Sequence, residues 1–325
     1  MPKAKPIASA APIQVSLPAT SANLGAAFDA AALAFPLRLT ITAKAAPAYK
    51  ISARGRDAAL CALPSGNPEH HLILRTYEDV LRCAGAEIVP LAVLLKNEIP
   101  ISKGCGSSAA ARLAGIALAV HFARLQWDDR RIMAEASLRE HHPDNATACW
   151  LGGITLARMD EAALTGKSVP HLEVVRVLPK GKWPLLLAVP DQALSTEEAR
   201  RVLPQMYSRS DAVVNVQSSL FMLAAFLQNR GELLRYGLDD RIHQPYRSPL
   251  CPLLAPLQKL AKSSDSGIFG VALSGAGPSV LMFLDPKIAP VKTRTQVAAH
   301  LRKHKLKAEL FLTSIAPKGA IRKRV

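Results

Sequence analysis

Residues 98–117 constrain this chain more than any other stretch: Glu-Ile-Pro-Ile-Ser-Lys-Gly-Cys-Gly-Ser-Ser, then an alanine-rich run. The apolar run Leu91–Leu95 leads into it and reads as a strand. Gly104 and Gly106 bracket a tight bend, and a helix is expected from about Ser108 to Leu125. Strand, glycine bend and helix in that order make a cradle for an anion. Residues without side chains let backbone N–H groups approach closely, and the helix N-terminus adds a favourable dipole. Ser107 or Ser108 can cap the helix and also give an oxygen to a phosphate-bound metal. A plain glycine connection with an ordinary cap accounts for the same residues structurally. Two phosphate motifs are excluded: Gly104 and Gly106 are too close for a Walker loop, with Lys103 ahead of the bend, and the third glycine of a dinucleotide fingerprint is absent. Charge neutralisation at a bound phosphate must then come from a metal and from residues elsewhere.

With 325 residues, two domains are expected, and 49% hydrophobic residues suffice for a buried core. No apolar run of membrane-spanning length is read, and the basic N-terminus has no apolar stretch of the secretory kind behind it. Five scattered cysteines without C-x-x-C spacing point to reduced, buried thiols in a cytoplasmic protein. The net charge of +16 is concentrated after Lys292. Aromatic residues are only 5%, so the excess reads as a solvated basic face rather than a nucleic-acid platform.

After a loose arm, a strand is expected at Ile13–Leu17, then a turn-prone segment to Asp29 carrying Thr20, Ser21, Asn23 and Asp29. Strands follow at Leu37–Ala43 and Tyr49–Ala53, a loop at 64–68, and a helix at Glu69–Ala84 ending at Gly85. Asp128 caps a helix to Arg139, and Pro143 forces a new element that begins near Asp144 and Asn145. A loop from Asp160 to Pro170 precedes strands at 172–178 and 185–190. Ser195 with Glu198 three residues later is a capping box, projecting Arg200 from a short helix. Helices at Asp211–Gln228, about Pro252–Lys262 and Val291–His304, with strands at Ile268–Leu273, Val280–Leu284 and Ala308–Leu312, complete a β/α alternation. Ser274-Gly-Ala-Gly-Pro-Ser279 reads as a hairpin bend or as a second backbone surface against the glycine loop.

Pro18-Ala-Thr-Ser-Ala-Asn-Leu-Gly, Pro100-Ile-Ser-Lys-Gly-Cys-Gly-Ser-Ser-Ala-Ala and Leu273-Ser-Gly-Ala-Gly-Pro-Ser resemble the three motifs of the GHMP small-molecule kinases. His142-Pro-Asp-Asn145, Ser195-Thr-Glu-Glu-Ala-Arg200 and Gln244-Pro-Tyr-Arg247 resemble the homoserine kinase branch in particular. The resemblance implies an α+β, two-domain GHMP kinase fold. Residues 1–170 would form a nucleotide-binding domain like the second domain of ribosomal protein S5. Residues 171–325 would form a ferredoxin-like domain closing the substrate cleft. It also implies that Pro100, Ile101, Ser102, Lys103, Gly104, Cys105, Gly106, Ser107, Ser108, Ala109 and Ala110 wrap the phosphates of ATP, with Ser274, Gly275 and Gly277 as buttress. Ser108 and Glu140 would hold Mg²⁺. Asn23, Asp29, His142, Asn145, Thr196, Arg200 and Arg247 would line the amino-acid pocket, with Asp144 beside the reacting hydroxyl.

The chemistry of these residue types agrees. Homoserine carries a carboxylate, an ammonium and a primary hydroxyl. Arginines make forked contacts to carboxylates, and Asp29 suits the ammonium. Two other readings remain at this stage: another GHMP small-alcohol kinase, acting on mevalonate or a sugar, and a non-catalytic nucleotide- or nucleic-acid-binding protein with this fold. The expected partners are L-homoserine and a second copy of the chain as a homodimer; no membrane or nucleic-acid partner is expected.

Overall fold

A fifteen-residue strand, β2 (Ala31–Ala45), is long enough to take three partners. One edge pairs antiparallel with β1 (Ile13–Ala22). The other edge takes β4 (Leu91–Asn97) along Leu39–Ala45 and β5 (Ile154–Met159) along Ala31–Leu33. The computed structural model describes residues 10–62, 68–160 and 171–325. The N-terminal arm and most of the loops expected at 64–68 and 160–170 lie outside them. β3 (Lys50–Gly55) runs parallel to β4, which a crossover through α1 (Ala58–Cys61) and α2 (Leu72–Cys83) permits.

α3 (Ser107–Phe122) explains its own alanine content. It is buried along most of its length, and at Gly115 an added Cβ would lie 2.5 Å from the Ile73 carbonyl oxygen. Only small side chains allow helices to approach that closely. α4 (Asp129–Glu140) begins where expected, with the Asp128 carboxylate accepting from the Arg131 N–H at 2.7 Å. α5 (Asp144–Leu151) follows after one turn.

Two strands return to this sheet from beyond the expected boundary. β6 (Leu172–Val177) pairs with β5, so a division at residue 170 separates two hydrogen-bonded neighbours. β11 (Ile321–Arg324), within the stretch read as a solvated basic face, pairs with β1, Ile13 opposite Arg324. Its side chains are largely solvated, as expected, but its backbone is not. The segment from Pro18 to Ala22, read as turn-prone, is instead the end of β1. Its side chains are buried, and only Asn23 onward turns.

β7 (Pro184–Val189), β8 (Ile268–Leu273), β9 (Val280–Leu284) and β10 (Glu309–Ser314) form a second sheet in the order β10-β7-β9-β8. That order, with helices after the first and third strands, is the ferredoxin-like arrangement. α6 (Thr196–Arg201), α7 (Arg209–Gln228), α8 (Leu234–Gly237), α9 (Gln244–Arg247) and α10 (Leu254–Ala261) lie between β7 and β8, and α11 (Pro290–Lys303) between β9 and β10. The Ser195 cap forms as read, accepting from the Glu198 N–H at 3.0 Å. α7 is long and apolar enough to cross a membrane, contrary to expectation. Its polar residues tie it to the first domain: Asn215 and Ser219 both donate to the Ala26 carbonyl.

Candidate functional site

The glycine bend is held from both sides. Ser102, Gly104 and Gly106 have φ of 56°, 74° and 70°, a region open to glycine and strained for other residues. A Cβ on Gly104 would lie 2.1 Å from the Ser274 carbonyl oxygen and 2.7 Å from that of Gly277. The Ser274 hydroxyl donates to the Gly104 carbonyl at 2.7 Å. The second glycine turn is therefore a backbone surface against the first. Asn23 Nδ2 donates to the Gly275 carbonyl at 2.8 Å, and the Gly275 N–H donates to that of Ala22 at 3.2 Å.

The expected serine cap is not made. Gly106 is the N-cap residue of α3, with no side-chain cap. Ser108 Oγ instead donates to Glu140 Oε1 at 2.6 Å, and Arg112 Nε donates to the same oxygen at 2.5 Å. The first-turn N–H groups of α3, which have no intrahelical acceptor, thus remain available to an anion. Sequence reasoning missed Arg112; its position one turn after Ser108, at i+4, places it on the same helical face and was the available signal.

Beside the loop is a cleft of about 220 Å³ lined by Ser102, Gly104–Ser108, Asn23, Asp29, Glu140, His142, Asp144, Asn145, Thr196, Arg200, Arg247, Gly275 and Gly277, among others. Pro100, Ile101, Lys103, Ala109, Ala110 and Ser274 lie outside this lining. The methyls of Ala109 and Ala110 are buried, and Lys103 Nζ donates to the Asp191 carbonyl. The residues expected at the amino-acid pocket do come together. Asn23, however, is engaged at both ends of its amide, since Oδ1 accepts from the Asp29 N–H at 2.9 Å. It shapes the loop that carries Asp29.

Charges in this cleft are paired. Arg200 Nη2 donates to both Asp29 oxygens, at 2.8 and 2.9 Å. Burial, with Asp144 nearby, pushes the Asp29 carboxyl above its usual range against the pull of Arg200. Arg247 is 1% exposed and donates to the Ala199 carbonyl at 2.9 Å. Both guanidinium groups lie over the Phe28 ring, 5.5 and 5.3 Å from its centroid. Burial and the neighbouring Arg200 charge lower Arg247 to about 10. His142 Nδ1 meets Asp144 Oδ1 at 2.6 Å. Burial disfavours the imidazolium, but the Asp144 carboxylate outweighs it and raises His142 to about 9. Burial alone would raise the Asp144 carboxyl; its ion pair with His142 keeps it low. Asp144 Oδ1 also accepts from the Asn145 N–H at 2.6 Å, whereas Oδ2 is buried without a partner among the described residues. Thr20 Oγ1 donates to Asn145 Oδ1 at 2.6 Å.

A hydroxyl and a carboxylate at the mouth of a glycine loop are hard oxygen donors. Such a pair, with phosphate oxygens and water, is the usual ligand set of Mg²⁺. Ser108 and Glu140 fit that ion.

The chain is similar to known proteins. The family model for the GHMP kinases N terminal domain matches residues 71–153, and that for the GHMP kinases C terminal domain residues 222–303. A homoserine kinase of Solibacter usitatus is 41% identical over 272 residues, covering 83% of this chain and 84% of its own. One from Desulfitobacterium hafniense is 34% identical over 308 residues, covering 95% and 99%. The crystal structure of homoserine kinase from Cytophaga hutchinsonii has the same fold, with a TM-score of 0.79 at 22% identity over 97% of this chain and 98% of that one.

The Gly104 contact is directly testable. Replacing Gly104 with Ala puts a methyl against two carbonyl oxygens and forces the loop from its buttress. We expect nucleoside triphosphate affinity, measured by calorimetry, to fall at least about tenfold, the effect of roughly 1.4 kcal/mol. Unchanged affinity in a folded variant would place the phosphates elsewhere.

Proposed function

This chain belongs to the GHMP kinases and, among them, to the homoserine kinases; from that premise we propose how its cleft phosphorylates L-homoserine. The reaction is ATP-dependent transfer of a phosphoryl group to the side-chain hydroxyl, giving O-phospho-L-homoserine for threonine biosynthesis. The observation that carries the reading is the Asp29–Arg200 ion pair with Arg247 beside it. A zwitterion can replace each partner with a group of the same charge. Its ammonium takes the place of Arg200 at Asp29, and its carboxylate that of Asp29 at Arg200, so no charge in the cleft is left alone. Mevalonate and sugars have no ammonium to offer Asp29.

The backbone N–H groups of Gly104–Ser108 and the start of α3 receive the phosphates of ATP. Ser108 and Glu140 would hold Mg²⁺, which would neutralise phosphate charge there. Arg112 keeps the Glu140 carboxylate turned towards Ser108. Asn145 holds the substrate hydroxyl beside the phosphate loop, and Thr196 borders the same pocket. Asp144 is ion-paired through Oδ1, and a carboxylate kept low is a weak base. Phosphoryl transfer passes through a loose transition state that gains little from early deprotonation. Asp144 therefore acts by holding His142 and Asn145 in place and by offering Oδ2 to a donor on the substrate. The setting is the cytoplasm, where five unbridged cysteines, four of them buried, stay reduced.

ADP release with purified protein and MgATP should be far faster with L-homoserine than with mevalonate, galactose or L-serine. A faster rate with any of the three overturns the substrate assignment.

Arg200→Ala should weaken homoserine use by about 1.5–3 kcal/mol, the range for hydrogen bonds to charged groups, with MgATP affinity nearly unchanged. Loss of MgATP binding with homoserine affinity intact would show that Arg200 serves the nucleotide.

At saturating substrates, Glu140→Gln should cost more in turnover than Asp144→Asn. If a folded Asp144→Asn enzyme falls further, Asp144 is the general base and the positioning role is wrong.

A further inference from the structure

Thr20 is fully buried on β1, 125 residues from Asn145 in the chain, yet the two side chains share a short hydrogen bond of 2.6 Å. The Thr20 backbone N–H donates to the Cys105 carbonyl inside the phosphate loop at 3.1 Å. Gly106 leaves the space this bond occupies: a Cβ there would lie 1.9 Å from Thr20 Oγ1 and 3.2 Å from Asn145 Oδ1. Phosphate loop, Thr20 and Asn145 therefore form one packed unit.

A carboxamide has two unlike ends. With Oδ1 receiving the Thr20 hydroxyl, the end left for the cleft is Nδ2, which has no protein partner among the described residues. The same cleft already contains an unpartnered buried acceptor, Asp144 Oδ2. A primary hydroxyl has a single hydrogen to give and lone pairs to receive. One donor and one acceptor satisfy it; an amide turned the other way would set two acceptors competing for one proton.

We infer that Thr20 is a positioning residue for phosphoryl transfer: by holding Asn145 Oδ1 it presents Asn145 Nδ2 as a donor to the oxygen of the homoserine hydroxyl. This rests on the homoserine reading above. Nδ2 then engages one lone pair of the nucleophile and fixes its direction, while another stays open for attack on the phosphorus. The hydroxyl proton stays on its oxygen, hydrogen-bonded to Asp144 Oδ2, until the new O–P bond is well advanced and the bond from phosphorus to the ADP oxygen is breaking; it then passes to an oxygen of the transferred phosphoryl group.

The test separates the substrate hydroxyl from the rest of the substrate. L-2-Aminobutyrate has the same zwitterion and no hydroxyl. Binding of L-homoserine and of L-2-aminobutyrate is measured by calorimetry for wild type, Thr20→Val, Thr20→Ala and Thr20→Ser, with kcat and the KM for MgATP. Thr20→Val should weaken L-homoserine about five- to tenfold, the value of one hydrogen bond, and lower kcat. L-2-Aminobutyrate binding and the KM for MgATP should stay within about twofold, and Thr20→Ser should restore both losses. On an Asn145→Ala background, the change at Thr20 should add nothing. Should Thr20→Val not fold, Thr20→Ala and the same double-variant comparison decide the matter identically. Equal weakening of both ligands, no effect on L-homoserine, or no rescue by Thr20→Ser overturns the inference. A wild-type protein that does not turn over L-homoserine would overturn the functional reading itself; an active wild type whose Thr20 variants ignore the hydroxyl overturns this inference alone.

Discussion

Backbone meets backbone where Gly104 passes the Ser274–Gly277 turn, and the rest of the site follows from that contact. Neither turn leaves room for a side chain: a Cβ on Gly104 would stand 2.1 Å from a carbonyl oxygen. One turn belongs to each sheet, so the contact sets the distance between the two halves of the cleft. Asn23, bonded to the Gly275 carbonyl, extends it to the loop that carries Asp29. Asn23, Leu24 and Gly25 all have positive φ, a strained run that the packing around His243 and α7 sustains. Glycine at positions 25 and 104 is thus a condition of geometry rather than an allowance for flexibility.

The electrostatic design is one of internal neutrality. The chain carries a net charge of +16, yet the cleft balances Arg200 against Asp29 and His142 against Asp144. Burying single charges would be costly, whereas pairs that a zwitterion can enter keep that cost low in both states. Arg247, like Asp144, is only 1% exposed. It is held by the Ala199 carbonyl, by His243 Nδ1 at 3.3 Å and by the face of Phe28, so it serves the core as well as the pocket.

What could be read from the sequence was mainly local. The Asp128 and Ser195 caps depend on residues three apart and were legible, as were the glycine bend and the positions of the strands of the second half. The motif strings located the pocket residues because each lies within a short stretch of chain. What could not be read was non-local. Within its own stretch Ser108 looked like a cap; only the family resemblance paired it with Glu140, 32 residues away, to which it bonds. Arg112 and Thr20 act through partners 28 and 125 positions distant. β11 belongs to a sheet whose other strands lie far upstream, and nothing in a short basic run such as Ile321–Arg324 names its partner. Spacing reports which face a side chain occupies, but not which distant backbone will lie against it.

The pairing of β11 with β1 has a consequence for how the protein is made. β1 finishes at Ala22, but the strand that covers its outer edge is not synthesised until residues 321–324. During translation the first sheet therefore presents an open edge while the whole second domain emerges and folds. Closing so long a loop adds little entropy beyond that of a shorter one, since the cost grows only logarithmically. An exposed edge strand nevertheless offers unpaired N–H and C=O groups to other chains. Once β11 docks, the second domain is anchored to the first at both of its ends, and the open edge of β1 is covered.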